Sequence, residues 1–61
     1  MTGEEIRRFR WENDIKQAKF AKMAQISIGT LARAESGKMS GKTQAKIEKA
    51  VKEYKDNVQM S

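Results

Sequence analysis

The chain contains no cysteine, no histidine and no proline, and each absence excludes a class of protein or of structure. Without cysteine it holds neither a disulfide nor a thiolate metal site, and without histidine it lacks the commonest metal ligand and general base. Its serines therefore have no imidazole to activate them, and no glycine-rich phosphate loop or metal-ligand spacing occurs. We expect no catalytic residue, no metal site and no cofactor, and therefore a protein that is not an enzyme.

Long apolar runs are also missing, since no stretch approaches the roughly 20 residues that span a bilayer. Residues 1–5 lack the basic leader and hydrophobic run of a signal peptide, so we expect a cytoplasmic protein without a membrane partner. The chain has 13 Lys and Arg against 8 Asp and Glu, a net charge of +5. This balance favours an anionic partner such as nucleic acid, although a charge of this size is also ordinary for a soluble domain.

The 61 residues suffice for one domain with one small core. Apolar residues recur with a helical period almost throughout, and no stretch alternates as a strand does, so the pattern predicts an all-α fold. Thr2 followed by Glu5 is typical of a capping box that opens a first helix over residues 3–13. Ile6 and Phe9 mark the buried side of that helix.

Two short helices follow the first. Lys16 is the expected N-cap of the second helix, with Phe20 on its buried face. Ser27 is a good N-cap for a third helix over residues 28–36, and Gly37 stands where a left-handed residue ends such a helix.

The last third of the chain predicts a loop over residues 38–42 and a fourth, amphipathic helix from Thr43. Its apolar stripe is Ile47, Ala50, Val51, Tyr54 and Val58. A membrane-surface role for this lysine-flanked helix is disfavoured, because the stripe is narrow and has a domain to pack against. The predicted domain covers residues 1–56, followed by a frayed tail over 57–61.

Residues 15–37 carry the functional signal. Ala21 is small where the second and third helices cross, and Ile26 and Leu31 fill the wedge between them. Two short helices joined by a tight turn specify a helix-turn-helix, here residues 17–36, whose second helix can enter the major groove of DNA.

The motifs that carry a family resemblance are Ile15-Lys16-Gln17, Phe20-Ala21, Ile26-Ser27, Leu31, Arg33 and Glu35-Ser36-Gly37. Together they resemble the Cro/repressor-type (XRE-like) helix-turn-helix domains of bacterial and phage transcriptional regulators. The resemblance covers roughly residues 4–51. It implies a small four- to five-helix bundle of the lambda-repressor-like type and a sequence-specific DNA-binding regulator with recognition helix 28–36.

The resemblance also implies roles for particular residues. It pairs Arg10 with Glu35 in a partly buried ion pair, and an unpaired charge beside the buried stripe would be costly. The expected base-contacting residues are Ile28, Gly29, Ala32 and Arg33. The expected phosphate-contacting residues are Lys16, Gln17, Lys19, Ser27, Thr30, Lys38, Ser40, Lys42 and Thr43. The alternative for the basic loop around Lys38 is an ordinary solvated loop.

The recognition helix offers few hydrogen bonds. Only Arg33 can make a bidentate contact to guanine, and Ile28 could touch a thymine methyl group. Gly29 and Ala32 offer no polar atoms, and a glycine leaves room for close approach to DNA. We expect modest specificity that also depends on DNA shape.

Some residues depart from the family pattern. Lys16 and Lys19 stand where the family usually has the two residues of a capping box. Either the lysines increase DNA affinity at the expense of the stability of the free domain, or they are ordinary surface lysines. Gln25 stands where the turn usually carries glycine, and a left-handed backbone there strains any other residue, so Gln25→Gly should stabilise the domain. Ala34 stands where larger apolar residues are common. Either Trp11 or Met39 fills that space, or Trp11 is exposed and marks a protein contact.

Double-stranded DNA is thus the expected partner, bound by a weak homodimer on an inverted-repeat operator. Tyr54, Val58 and Met60 are the candidates for the dimer surface. The rival function is a protein-binding antirepressor that keeps the fold with little sequence recognition, with its partner near Trp11. The expected location is the cytoplasm, in association with the nucleoid.

Overall fold

The computed structural model describes the backbone of residues 1–60 and the side chains of residues 1–57. It contains the helices α1 (Gly3–Glu12), α2 (Gln17–Met23), α3 (Ile28–Glu35) and α4 (Gly41–Met60). No residue of that described backbone lies in a strand, so the all-α prediction is confirmed. The Cα radius of gyration is 10.6 Å. A compact domain of this length is expected at about 10.5 Å.

Three helices begin with a side-chain cap. At α1 the Thr2 hydroxyl accepts from the Glu5 N–H (3.2 Å) and the Glu5 carboxylate accepts from the Thr2 N–H (2.8 Å), so the predicted capping box is confirmed. At α4 the Ser40 hydroxyl accepts from the Thr43 N–H at 3.2 Å. This cap starts α4 at Gly41, so the prediction of a loop through residue 42 was wrong.

The first three helices all end in the same way, in a Schellman motif that satisfies two carbonyl groups of the last turn. Each motif places one residue in the left-handed region: Asp14 at φ +54°, Gln25 at φ +58° and Gly37 at φ +98°. At the end of α2, for example, the Ile26 N–H donates to the Ala21 carbonyl at 2.9 Å. The left-handed conformations of Gly37 and Gln25 were predicted, whereas the left-handed conformation of Asp14 was missed.

The four largest completely buried side chains of the core come one from each helix. These are Ile6, Phe20, Leu31 and Ile47. Phe9 lies edge-on to Phe20, with ring centroids 6.0 Å apart, and edge-on to Tyr54 at 5.6 Å. The hydrophobic pattern thus identified the buried faces of α1 and α2 correctly, and that of α4 from Ile47 to Tyr54, while the side chain of Val58 lies outside the described residues.

Gly3 determines how closely α1 approaches α3. A Cβ atom at this position would overlap the backbone carbonyl oxygens of Ala34 and Glu35. The N-terminus of α1 therefore lies directly on the last turn of α3, where Ala34 is completely buried. Trp11 is 71% exposed and does not fill the space beside Ala34. Met39 is partly buried against the core. Trp11 is exposed, as one alternative expected, and a protein contact at Trp11 stays a prediction.

The backbone of α4 continues to Met60, through most of the segment predicted to be a tail. The side chains of Val58 and Met60, two of the three dimer candidates, lie outside the described residues. The division between a domain over 1–56 and a tail over 57–61 stays a prediction. Within the described part of the chain, none of the helices combines the length and the apolar composition that a bilayer crossing requires.

Candidate nucleic-acid interface

Helix α3 has two sharply different faces. Leu31, Ala34 and Glu35 are buried. The residues on its opposite face are exposed, and they are Ile28, Gly29, Ala32 and Arg33. These are the four residues predicted to contact bases. Because residues three and four apart share a helix face, they form one continuous surface. We call this surface the α3 face.

The buried end of α3 is held by the ion pair that the resemblance implies. Arg10 Nε donates to Glu35 Oε2 at 2.6 Å, and Arg10 Nη2 donates to Glu35 Oε1 at 2.9 Å. Both side chains are more than nine-tenths buried. A bidentate pair of this kind fixes orientation as well as charge, so it locks α1 to the last residue of α3.

Further contacts surround Glu35. Gln17 Nε2 donates to Glu35 Oε1 at 3.3 Å, and Arg10 Nη1 donates to the Ile15 carbonyl at 3.2 Å. Arg7 Nε lies 3.9 Å from Glu35 Oε1 and is half exposed. We call Arg7, Arg10, Gln17 and Glu35 the Glu35 cluster. It connects α1, α2 and α3, and among the described residues no buried polar side-chain atom lacks a partner.

The position of Gln17 differs in part from its predicted role. Its side-chain amide donates to Glu35 within the protein. Sequence reasoning missed this bond because the two residues are 18 positions apart and no local pattern relates them. The backbone N–H of Gln17 lies in the first turn of α2, where it has no partner within the helix. A phosphate contact by Gln17 stays a prediction.

The N-terminus of α2 has no side-chain cap. Lys16 occupies the N-cap position with φ −76° and ψ 158° but accepts no hydrogen bond from the first turn. Lys16 and Lys19 are both exposed, and the first turn contains no acidic residue. The predicted loss of the capping box is therefore confirmed.

Four of the residues predicted to contact phosphate form two matching helix caps. Ser27 Oγ accepts from the Thr30 N–H at 3.1 Å and lies 2.8 Å from Thr30 Oγ1. Ser40 Oγ donates to Thr43 Oγ1 at 3.1 Å and caps the Thr43 N–H. A Ser-x-x-Thr pattern thus opens both α3 and α4. Its hydroxyl groups are engaged within the protein, whereas Lys38 and Lys42 beside them are exposed.

The positive charge is concentrated in one part of the chain. Residues 16–47, which we call the central segment, contain seven Lys or Arg and a single acidic residue, Glu35. The remaining residues contain six Lys or Arg and seven Asp or Glu. The basic residues of the central segment are Lys16, Lys19, Lys22, Arg33, Lys38, Lys42 and Lys46. All seven are exposed, while Glu35 is buried and paired, so every exposed charged side chain of this segment is positive.

Another surface feature lies outside the α3 face. Trp11 borders a shallow depression whose rim includes Asp14 and Lys16. No group of acidic side chains among the described residues has the arrangement of a metal site. Comparison with protein-family models, with curated proteins and with solved structures found no match.

Proposed function

We propose that the protein is a sequence-specific DNA-binding transcriptional regulator that uses residues 17–36 as a helix-turn-helix. The observation that carries the proposal is the position of the α3 face within the central segment. An exposed helix face lies in a segment whose exposed charges are all positive. Positive side chains attract the phosphate backbone, and a protruding helix contacts base edges in the major groove.

The buried contacts explain how such a helix would be presented. The Glu35 cluster and the close approach at Gly3 hold the C-terminal end of α3 against α1. Ile28 and Gly29, at the N-terminal end of the same helix, are exposed. In our proposal the first turns of α3 enter the groove, and Lys16, Lys19, Lys38 and Lys42 approach the phosphates on either side.

A domain of this size covers one half of an operator. We propose a weak homodimer that assembles on an inverted repeat, with half-sites about one helical turn apart. Of the predicted dimer residues, Tyr54 is half buried and packs edge-on against Phe9. A regulator of this kind acts in the cytoplasm, in association with the nucleoid.

The test is selection of binding sites from a random duplex pool, followed by titration of the selected duplex by fluorescence anisotropy at two salt concentrations. We expect an enriched inverted repeat. Arg33→Ala should reduce discrimination at one base position by about 1–3 kcal/mol, the value of a bidentate contact to guanine.

Arg8→Ala is the matched control, since Arg8 is an exposed arginine of α1 outside the central segment. It removes the same charge and should leave sequence discrimination unchanged. A pool that binds but does not enrich, with an affinity that collapses at higher salt, would indicate phosphate attraction alone and contradict the proposal.

A second candidate function is a protein-binding antirepressor that keeps this fold. It is favoured by two large exposed apolar side chains, Trp11 at 71% and Ile28 at 51% exposure. Exposed aromatic residues are typical anchors of protein interfaces. The same selection separates the two candidates, because an antirepressor gives no enriched site. For a regulator of the proposed kind, Trp11→Ala leaves the selected duplex bound with unchanged affinity.

A further inference from the structure

Two of the four glycines of the chain are required by its own fold. Gly3 is required by the backbone of α3, which leaves no room for a Cβ atom, and Gly37 by its left-handed φ of +98°. Gly41, at the first residue of α4, has neither reason and lies outside the α3 face. Gly29, on the α3 face, has neither reason as well. A Cβ atom there would meet only Ser27 Oγ, at an ordinary 4.0 Å. Alanine stabilises a helix relative to glycine, so the domain's own fold would favour alanine at position 29. The fold of the chain therefore gives no reason for glycine at position 29.

The rest of the α3 face is also small and apolar. Ile28 and Ala32 are four positions apart and flank Gly29 on the same surface. Neither carries a hydrogen-bonding side chain, and the nearby Thr30 hydroxyl lies 2.8 Å from Ser27 Oγ. Arg33 is thus the single side chain of the face with free donors for a base edge.

This composition suits one feature of the major groove. Of the groups that bases present there, only the C5-methyl group of thymine is apolar. A protein could also bind an apolar helix face. It would not account for the exposed charges of the central segment, which are all positive. We propose, on the basis of the DNA-binding function above, that Gly29 lets the backbone of α3 approach the duplex closely. Ile28 and Ala32 then contact thymine methyl groups, and Arg33 contacts one guanine in each half-site.

The experiment replaces thymidine by deoxyuridine in the selected duplex, which removes the methyl group and changes nothing else in base pairing. Each contacted methyl group should be worth about fourfold in affinity, the value of one buried methylene-sized group. Deoxyuridine placed outside the half-sites is the control for the duplex. Ile28→Ala should bind the unmodified duplex less tightly and lose part of the sensitivity to deoxyuridine.

Gly29→Ala tests the close approach. The variant should melt about 4 °C higher, because alanine favours the helix. It should bind the selected duplex about tenfold more weakly, as expected when a methyl group is forced into a filled contact. Trp11→Leu, which changes the other large exposed apolar side chain, is the matched control and should leave the affinity unchanged. Residues 28 and 29 are exposed, so these variants test binding in a folded domain.

The outcomes separate this inference from the proposed function. A selected duplex that deoxyuridine does not weaken, or a Gly29→Ala variant that binds as tightly as the unchanged protein, would overturn the inference while leaving a DNA-binding regulator. If no duplex is enriched at all, both the inference and the proposed function are overturned.

Discussion

The adjacent helices α2 and α3 differ in how their ends are stabilised, although they have seven and eight residues and end in the same motif. Helix α3 begins with the Ser27 cap and ends at a left-handed glycine, Gly37. Helix α2 begins at Lys16 without a side-chain cap and ends with Gln25 in the left-handed region. The favourable residue is thus present at both ends of α3 and absent from both ends of α2.

The difference teaches that α2 depends on its tertiary contacts. Phe20 and Ala21 are buried, and Gln17 donates to Glu35. Isolated helices of this length are unstable in water, so this burial must supply the stability that the ends of α2 lack. In our proposal the uncapped, lysine-bearing end faces phosphate, so local stability has been given up where positive charge is useful.

Breaking the Glu35 cluster should have the largest effect, because it removes the contact shared by α1, α2 and α3. Arg10→Met leaves the carboxylate of Glu35 buried without its bidentate partner, which should cost about 3–5 kcal/mol of unfolding free energy. Urea denaturation followed by circular dichroism measures the loss. This is a large share of the stability of a small domain, so the variant is compared with the unchanged protein at low temperature.

The control for Arg10→Met is the double variant Arg10→Met with Glu35→Leu. Replacing both partners of a buried ion pair by apolar residues is often neutral, so most of the lost stability should return. If Arg10→Met costs no more than Arg8→Ala at the exposed surface, the cluster does not hold the three helices together.

Helix beginnings were largely predictable because capping is local. Thr2 with Glu5, and Ser27 ahead of an apolar run, show their function within four residues of sequence. The same logic applies to Ser40 and Thr43, but Gly41 and Lys42 between them are typical of a loop, and the start of α4 was placed two residues late.

Long-range contacts were not predictable from local patterns. The overlap that makes Gly3 necessary depends on the path of α3 more than 30 residues later. The bond from Gln17 to Glu35 depends on the packing of α2 against α3. The pair of Arg10 and Glu35 was expected from a family resemblance rather than from spacing. The α3 face was predictable because helical periodicity separates the buried and exposed sides of α3.

Giving α2 the cap that it lacks should have the next largest effect. Lys16→Thr with Lys19→Glu installs a capping box and removes two cations from the positive end of the helix dipole. We expect about 1–2 kcal/mol of added stability, seen as a higher melting temperature. In the proposed complex the same change should weaken DNA binding, because two positive charges are lost and one negative charge is gained.

The matched control for the cap is Lys52→Thr with Lys55→Glu, an equal change of charge on α4 outside the central segment. It should leave DNA affinity less affected and provide no N-cap. The expected result is a higher melting temperature and a salt sensitivity of DNA binding that differs from that of this control. If Lys16→Thr with Lys19→Glu shows neither, these lysines are ordinary surface residues.

Exchanging the left-handed residues should give smaller effects of opposite sign. Gln25→Gly relieves a φ of +58° and should stabilise the domain by about 1 kcal/mol, while Gly37→Gln introduces the same strain at the end of α3. Thermal denaturation of the two variants should show shifts of similar size in opposite directions. Equal destabilisation by both would mean that the side chain of Gln25 makes a contact that outweighs the strain.

The smallest effect should come from acid, and it distinguishes the cap of α1 from that of α3. Hydrogen bonds from the Thr2 backbone N–H and hydroxyl lower the pKa of Glu5 below its ordinary value. A carboxyl whose pKa is lowered by folding contributes stability above its ordinary pKa, and this contribution is lost as the pH falls through the lowered pKa. The Ser27–Thr30 cap contains no ionisable group.

We therefore expect Glu5→Gln to lower the melting temperature slightly at neutral pH and to have no such effect in acid. Glutamine can still occupy this position of a capping box, so the variant removes the charge rather than the cap. Ser27→Ala is the comparison, because its loss of about 1 kcal/mol should persist at both pH values. Melting curves of the three proteins at neutral and acidic pH measure the difference. An effect of Glu5→Gln that is equally large in acid would show that the ionised carboxylate is not what stabilises the start of α1.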